Sequence, residues 1–507
     1  MMADQSNNPL QEEHSSLYSS WRRIFTSTHH TDIGHLYLVT TLFFFFLGGI
    51  AALWMRTELT RPTGLITSAA YNSLFTIHGT NMIFLWIIPA FAAFSNYFLP
   101  KYIGAKDMYY PKLNALSFWL LPVAAALIWL GMPNVGWTGY APLSVFEPSI
   151  GIDMWILGLH IIGISSMIGA FNFIVTVIKL RKPGVTYSNM SLFVWSVMST
   201  SFLVIAATPV LSMALALLLL DRNLGTSFFV PQSGGDPILW QHLFWFYSHP
   251  AVYIMILPGM GLVSVILANL ARKEIYGYKS MAIALAGIGV VGFGVWAHHM
   301  FTTGMSISAR LPFMFMTMIV AVPSGIKVFN WIATLYGGRL KLNTPMWFSI
   351  SFVASFIVAG VTGVFLASIP VDYALQDTYW VVSHLHFMLL ASSTQAVFAS
   401  IYYYYPYIAK RMYNESLGKL HVLLTNVGIY VMLLSMAGLG LSGMPRRVFD
   451  YYPEFLPLNI AATVGGFLIG IGSLLFLYNI IHSWFNSEPI TTDDPWDLEK
   501  YNMKEFP

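Results

Sequence analysis

A histidine and a tyrosine lie four residues apart in an apolar stretch of the chain, Trp240–Gly259. On a helix this spacing puts His249 and Tyr253 on nearly the same face, one turn apart. Pro250 lacks a backbone donor and is expected to kink the helix beside the histidine. Because unpaired polar groups are costly in an apolar environment, the pair suggests a redox-metal site. A core histidine that bonds a tyrosine would produce the same pattern.

Six histidines fall in long apolar segments, at positions that we expect to share one depth in a helical bundle. With a helix rise of about 1.5 Å per residue, all six lie in the half of the bundle away from the N-terminus. Histidines that served only local packing would have no reason to converge on one layer. They are His78, His249, His298, His299, His384 and His386.

The spacings divide these histidines between separate centres. His384 and His386 are two apart, about 200° around a helix, so they point to opposite sides. His298 and His299 are adjacent and can join His249 around one metal, for which three imidazoles suit copper or zinc. Neutral imidazole is also the usual axial ligand of heme iron. The set can therefore provide three ligands for a copper and three for two hemes, one of which keeps an open side facing the copper.

The composition excludes a soluble protein and several kinds of cofactor. Of the 507 residues, 56% are hydrophobic and 9% are charged, whereas soluble domains carry about 25% charged residues. The chain has no cysteine, which excludes disulfides, thiolate metal sites and iron–sulfur clusters within it. A net charge of +3 does not favour a nucleic-acid partner.

Twelve apolar segments are each long enough to span a bilayer. They predict an all-α integral membrane protein, a bundle of twelve transmembrane helices. We expect a polar N-terminal tail over residues 1–28, a catalytic domain over 29–486 and a C-terminal tail over 487–507. The segments lie near 34–55, 72–99, 113–132, 154–178, 188–219, 238–270, 281–303, 312–335, 346–368, 377–405, 420–441 and 458–486.

Lysine and arginine are unevenly distributed between the two sides of this bundle. The loops on the N-terminal side carry fourteen of them and the opposite loops carry six. The positive-inside rule therefore predicts that both termini are cytoplasmic, in a multi-pass protein of the cell's inner or plasma membrane. The six are Arg56, Arg61, Arg222, Arg310, Arg446 and Arg447.

From about Thr28 to Asp450 the sequence closely resembles subunit I of the heme-copper oxidases, the terminal oxidases of respiration that use cytochrome c or quinol. The similarity is carried by eight motifs spread along the chain. They are THHTDIGHLY, WMRTEL, IHGTNMIF, GGDPILWQHLFWFYSHPAVY, WAHHMFTTGM, PSGIKVFNW, DTYWVVSHLHF and SGMPRRVFDYYPE.

The resemblance implies a role for each histidine. A high-spin heme would be ligated by His384, and Tyr253 would be covalently joined to a ligand of the copper called copper B. The implied ligands are His78 and His386 for a low-spin heme, and His249, His298 and His299 for copper B.

Three arginines and an aspartate match further cofactor positions of the family. Arg446 and Arg447 match a pair that meets heme propionates, which are anions and need cationic partners. Arg56 matches a residue near the formyl of heme A, which favours heme A. Asp377 matches a residue near a magnesium ion, but Gln376 stands where relatives have a histidine, so the magnesium site is in doubt.

A lysine in the eighth segment matches the K pathway, one of the family's two proton routes. Lys327 lies between the N-terminal side and the expected metal layer, and Ser324 is on the same face nearer the metals. A charged lysine at the bilayer centre costs about 2.5–3.5 kcal/mol. That cost favours a functional role, although a lysine near a helix end can also extend its amine to the interface.

The second route, the D pathway, is matched by a loop aspartate and three asparagines. A loop aspartate is by itself usually only solvated. The matching residues are Asp107 at the entrance and the cluster Asn96, Asn114 and Asn172.

The chain departs from many relatives at the inner end of this route. Ala251 stands where they carry a glutamate after the His-Pro pair. Tyr247 and Ser248 match a variant in which a Tyr-Ser pair replaces that glutamate. We expect the pair to order a chain of waters, although both residues could serve packing alone.

The resemblance implies the catalytic subunit of a proton-pumping oxidase that reduces O2 to water beside subunit II and further membrane subunits. Electrons would come from cytochrome c or from quinol. The dinuclear copper site of cytochrome c oxidases cannot be in this chain, which has no cysteine. A nitric oxide reductase has iron in place of copper and lacks the tyrosine and lysine, so Tyr253 and Lys327 argue against it. A cofactor-free transporter with twelve spans is the alternative from another class.

Overall fold

The computed structural model describes residues 21–62 and 64–506. Most of the predicted N-terminal tail therefore lies outside the described residues. The described part is helical nearly throughout, and its only β-bridges are two isolated pairs, Thr378 with Pro445 and Arg411 with Pro489.

Eleven helices in the described part are long and apolar enough to cross a membrane, and a shorter apolar helix makes the twelfth. The twelve-helix prediction is thereby confirmed. The helices are α1 His30–Glu58, α2 Ser68–Ile103, α3 Pro111–Gly131, α4 Ile150–Leu180, α5 Leu192–Leu224, α6 Pro237–Leu270, α7 Tyr278–Val291, α8 Ile307–Leu335, α9 Thr344–Ala367, α10 Tyr379–Ala409, α11 Glu415–Leu441 and α12 Pro453–Asn486.

The short helix α7 differs from the sequence prediction, which continues it to residue 303. It gives way to 3-10 turns at Gly292–Gly294 and Trp296–Met300. A side chain at Gly292 would put its Cβ 2.7 Å from Cδ2 of Tyr253, so the glycine gives the tyrosine its space. Tight turns of this kind inside a helical segment often mark functional sites. Here they carry two of the six histidines.

Helix α6 is the centre of the bundle. Its most apolar stretch is 89% buried, far more than that of its neighbour α5 at 44%. A helix that is apolar on all sides is expected inside a large bundle rather than at its surface. α6 runs unbroken through both of its internal prolines, Pro250 and Pro258.

The C-terminal segment after α12 packs across the bundle end at which α1 begins, here called the terminal face. The indole of Trp496 is buried and donates to the Tyr403 carbonyl at 3.0 Å. Glu505 accepts hydrogen bonds from Asn269 at 2.7 Å and from the hydroxyls of Tyr102 and Tyr403. Burial raises the pKa of the Glu505 carboxyl. The segment therefore ties together the ends of α2, α6 and α10.

Candidate metal centre

Three histidines from two elements form the densest cluster of possible ligands. Nδ1 of His249, on α6, lies 3.1 Å from Nε2 of His299, and Nε2 of His298 lies 3.1 Å from the same atom. Two nitrogens bonded at about 2 Å to a tetrahedral metal are separated by about 3.3 Å. The three imidazoles therefore fit one metal ion. They are the one group of three or more His, Cys, Asp or Glu residues with such spacing among the described residues.

The rings of this cluster are fixed by contacts behind them. Nδ1 of His298 is 3.0 Å from Oγ1 of Thr317 on α8. His299 stacks on Trp245 with ring centroids 3.7 Å apart and planes 9° apart. The Gln376 amide donates to the His299 carbonyl at 3.3 Å. Groups that orient metal ligands in this way also tune their basicity.

Tyr253 lies against the cluster, one turn along α6 from His249. The ring centroids are 4.7 Å apart and the planes make an angle of 69°. Nε2 of His249 is buried and has no hydrogen-bond partner, because the ring directs Nδ1 towards His299. The arrangement that the sequence spacing predicts is present.

A second pair of histidines comes from α2 and α10. The rings of His78 and His386 are nearly parallel, at 4°, with centroids 6.1 Å apart. Nδ1 of His78 is 3.0 Å from the Gly48 carbonyl and Nδ1 of His386 is 2.8 Å from the Val382 carbonyl. Both Nε2 atoms are thus left for a ligand between the rings. The gap suits an iron bonded to each ring at about 2 Å.

This pair opens into a cavity of about 430 Å³ that is mainly apolar but has three arginines in its wall. Arg446 and Arg447 lie in the loop after α11, whereas Arg56 is at the end of α1. Burial lowers the pKa of Arg447 to about 10, so it remains a cation at neutral pH. An apolar cavity with cations in its wall suits a porphyrin that carries carboxylates.

His384 points away from this cavity, as the two-residue spacing from His386 predicts. Its Nδ1 is 3.1 Å from the Ala359 carbonyl and 3.1 Å from Oγ1 of Thr362, both on α9. It is close enough to interact electrostatically with His249 and His298. A fourth imidazole therefore lies near the three-histidine cluster.

Lys327 is fully buried on α8, and its amine has no hydrogen-bond partner. The amine lies 5.0 Å from the centre of the Trp331 ring. Ser324, one turn nearer the histidines, is half-buried. Towards the terminal face, Asn330 continues the polar stripe and donates to Ser280 at 2.8 Å.

Asp107 and the three asparagines lie together near the terminal face. Asp107 accepts from the His30 backbone at 3.1 Å, and the Asn96 carbonyl is 2.8 Å from Nδ1 of the same histidine. The Asn172 side chain binds the Tyr110 backbone, and the buried amide of Asn114 has no partner.

Beyond Asn96 lies a small cavity of about 70 Å³, which is room for several waters at about 10–15 Å³ each. Its wall also contains Phe84, on which the ring of Tyr247 stacks with centroids 6.3 Å apart. The Ser248 hydroxyl is buried without a partner. Many of the lining side chains are hydroxyls: Tyr37, Ser95, Ser117, Ser165, Ser166, Thr200 and Ser201.

Some residues of the site carry no signal that the sequence alone reveals. Thr317 and Thr362 are ordinary threonines until the fold brings them to histidines. Asp372 is 1% exposed, and burial raises the pKa of its carboxyl to about 7. Asp377 makes an ion pair with Arg446, and its charge also raises the pKa of Asp372.

The chain is similar to known proteins in both sequence and fold. The family described as "Cytochrome C and Quinol oxidase polypeptide I" matches residues 32–468. Cytochrome c oxidase subunit 1 of Synechocystis sp. is 46% identical, over 94% of this chain and 87% of its own length. Cytochrome c oxidase polypeptide 1 of Halobacterium salinarum is also 46% identical, over 94% and 82%.

A solved structure of a heme-copper terminal oxidase dimer has the same fold. It is 20% identical with a TM-score of 0.78, and the alignment covers 92% of this chain and 86% of that chain. The family binds hemes and copper B, for which both histidine groups fit. The chain therefore belongs to the cytochrome c and quinol oxidase polypeptide I family and is the catalytic subunit of a respiratory terminal oxidase, a multi-pass protein of the plasma membrane.

Proposed function

We propose that this subunit uses electrons from cytochrome c to reduce O2 to water between His384 and the cluster of His249, His298 and His299. The observation that carries this proposal is the three-histidine cluster with His384 close to it, and the parallel pair of His78, on α2, and His386, on the same helix as His384. When bound, two hemes and copper B supply the electron transfer and O2 reduction. The donor follows from the relatives, which are cytochrome c oxidase subunits.

The chain's own residues orient and charge-balance these groups. Arg446 and Arg447 are positioned to bind anionic propionates at the wall of the large cavity. Arg56 donates to Asn459 at 2.9 Å, and its second terminal nitrogen is buried without a partner. A formyl oxygen is a suitable acceptor for that nitrogen, which supports heme A.

Tyr253 is the residue that we assign to proton and electron donation in the reaction. Its ring is 4.7 Å from His249, whose Nε2 is free to form the covalent bond to the tyrosine that the family resemblance implies. The phenol can give up a proton and an electron without leaving the site. Asp377, which shares its carboxylate with Arg446, is the residue that we assign to magnesium, with waters or groups of another subunit as the remaining ligands.

Purification of the intact oxidase complex tests the proposal. We expect two hemes and one copper in this subunit, two distinct reduced heme bands, and O2 consumption driven by reduced cytochrome c. Iron in place of copper would indicate nitric oxide chemistry. Turnover with quinol but not with cytochrome c would contradict the proposed donor.

Lys327 and Ser324 form the proposed K route from the terminal face to the centre. The buried amine has no partner, and Asn330 and Thr334 extend its stripe to the bundle end. A lysine amine at this position can carry a proton towards the metal centre. That proton would balance the negative charge of an electron that enters the centre.

Lys327→Met is expected to slow reduction of the high-spin heme by about 100-fold, the usual size of a proton-transfer contribution. The low-spin heme should be reduced at the wild-type rate, since its ligands lie in a separate cavity. Stopped-flow absorbance separates the two hemes. Lys419→Met, an exposed lysine paired with Glu415, is the control. Equal rates in the Lys327 variant and wild type would make Lys327 a structural residue.

We assign the D route to Asp107, the asparagines and the hydroxyl-lined cavity. Ala251 stands at the position of the family's glutamate but cannot carry a proton. We assign the role of that glutamate to Tyr247 and Ser248. The support for this assignment is the stacking of Tyr247 on the cavity wall and the unpartnered hydroxyl of Ser248. The two hydroxyls can order waters between the cavity and the centre.

Tyr247→Phe is expected to lower both turnover and proton pumping while leaving both heme spectra intact, because it removes only a hydroxyl from the water chain. Asp107→Asn should act in the same direction. If both lie on one route, the double mutant should be little worse than the worse single mutant. Reconstituted vesicles with a pH dye measure the pumping.

Tyr430→Phe is the matched control, since this tyrosine bonds Ser355 away from the cavity. Normal pumping by Tyr247→Phe together with failed pumping by Asp107→Asn would remove the Tyr-Ser pair from the route.

A further inference from the structure

The ring of His384 is held by a single face of α9. Ala359, Thr362 and Gly363 lie three and four residues apart, so they share one side of the helix. We call these three residues the His384 cradle. The Ala359 carbonyl and the Thr362 hydroxyl both lie 3.1 Å from Nδ1 of His384.

The hydroxyl of Thr362 is an acceptor for the imidazole. A hydroxyl has one proton, and Oγ1 of Thr362 lies 3.0 Å from the Val358 carbonyl and 2.9 Å from the Ala359 carbonyl. Its proton is therefore given to the helix backbone, and a lone pair is left for His384. Nδ1 must then carry the ring proton, which leaves Nε2 free to bind a metal.

Gly363 sets how closely the ring approaches the helix. A Cβ at this position would be 2.8 Å from Cε1 of His384 and 3.5 Å from its Nε2. The indole of Trp380, one turn before the histidine on α10, donates to the Thr362 carbonyl at 3.4 Å. The two helices are thus held in register at the cradle.

The low-spin ligands have a different environment. Nδ1 of His78 and Nδ1 of His386 each meet only a backbone carbonyl among the described residues. Side-chain hydroxyls stand behind His384 and, through Thr317, behind His298. Within the described part of the chain, the hydroxyl contacts therefore occur at the histidines between which we propose that O2 is reduced, and not at His78 and His386.

We propose that Thr362 is a positioning residue that fixes the tautomer and ring orientation of His384 and increases its basicity towards the high-spin heme iron. The inference rests on the proposed function, since it assigns His384 to that iron. Two acceptors on one N–H increase the electron density on the ring, and a stronger donor nitrogen follows. Gly363 completes the fit by leaving space for the ring.

The test compares variants of the cradle in the intact oxidase complex. Thr362→Val removes the hydroxyl at constant shape, Thr362→Ser retains it, and Gly363→Ala adds the excluded methyl group. The readout is the iron–histidine stretching band in the resonance Raman spectrum of the reduced enzyme. Turnover is measured in parallel. Ser349→Ala is the control, because it also removes a buried hydroxyl bonded to an i−4 carbonyl, about 20 Å along the same helix.

We expect Thr362→Val to bind both hemes, to shift the band to lower frequency, and to lower turnover about 10-fold, the small end of the usual effect of such partners. Thr362→Ser and the control should match wild type, and Gly363→Ala should broaden or abolish the band. If the valine variant does not assemble, Thr362→Ala serves in its place with the same expected shift. An unchanged band in the hydroxyl-free variant would overturn the inference. Absence of the band from wild type would instead overturn the proposed assignment of His384.

Discussion

Tyr253→Phe is expected to assemble with both hemes bound and to lose O2 turnover by about 100-fold or more, the size of a positioned proton donor's contribution. The change removes one oxygen atom and leaves the ring that packs on His249 and Gly292. The proposed bond to His249 would not form, but every imidazole that we assign as a ligand is kept, so the cofactors should still bind. Heme spectra and oxygen-electrode rates of the purified complex measure both parts.

The control for this variant is Tyr405→Phe. Its hydroxyl bonds the Ile480 carbonyl between α10 and α12, apart from the histidine cluster. It should retain wild-type turnover. Near-normal O2 consumption by Tyr253→Phe would remove the tyrosine from the reaction, whereas loss of heme would show that the hydroxyl is structural.

The helices and the histidine clusters could be predicted from the sequence because both depend on local patterns. Long apolar runs determine where helices cross, and angular spacing determines which side a residue faces. The two-residue step from His384 to His386 is sufficient to separate their partners, and the structure directs them to α9 and to His78. These local patterns do not depend on how distant helices pack.

Residues that act through other residues could not be predicted in this way. Thr362 is 22 positions from His384, and their meeting depends on how α9 packs against α10. In the sequence, Glu505 is a charged residue in a polar tail. In the structure it is buried among side chains that are 101 to 403 positions earlier in the chain. Burial of a carboxylate depends on tertiary packing, which composition does not report.

The end of α7 differs from the sequence prediction for a related reason. Residues 281–297 are all apolar or glycine, and Met300 and Phe301 follow the two histidines, so the sequence predicts a continuous helix to residue 303. The chain instead forms 3-10 turns where Gly292 meets Tyr253, because contact with α6 takes precedence over local helix preference. The turns bring His298 and His299 to His249.

His384→Ala is expected to remove the high-spin heme and leave the low-spin heme in place. The reason is that the two proposed sites share no ligand: His384 is held by α9, whereas His78 and His386 line their own cavity of about 430 Å³. His384 is the one residue that we assign to hold the high-spin heme, so its loss should release that heme alone. Reduced-minus-oxidised spectra and heme analysis should give half the wild-type heme content.

The reciprocal variant His386→Ala makes the comparison specific. It lies on the same helix two residues away, so a general folding defect should affect both variants alike. We expect it to lose the low-spin signal and to keep His384 in its contacts with Ala359 and Thr362. Loss of both hemes from each variant, or of neither from His384→Ala, would contradict the division of the histidines. If each variant loses a different heme, residues only two positions apart serve different sites. The 200° step between them around α10 requires this result.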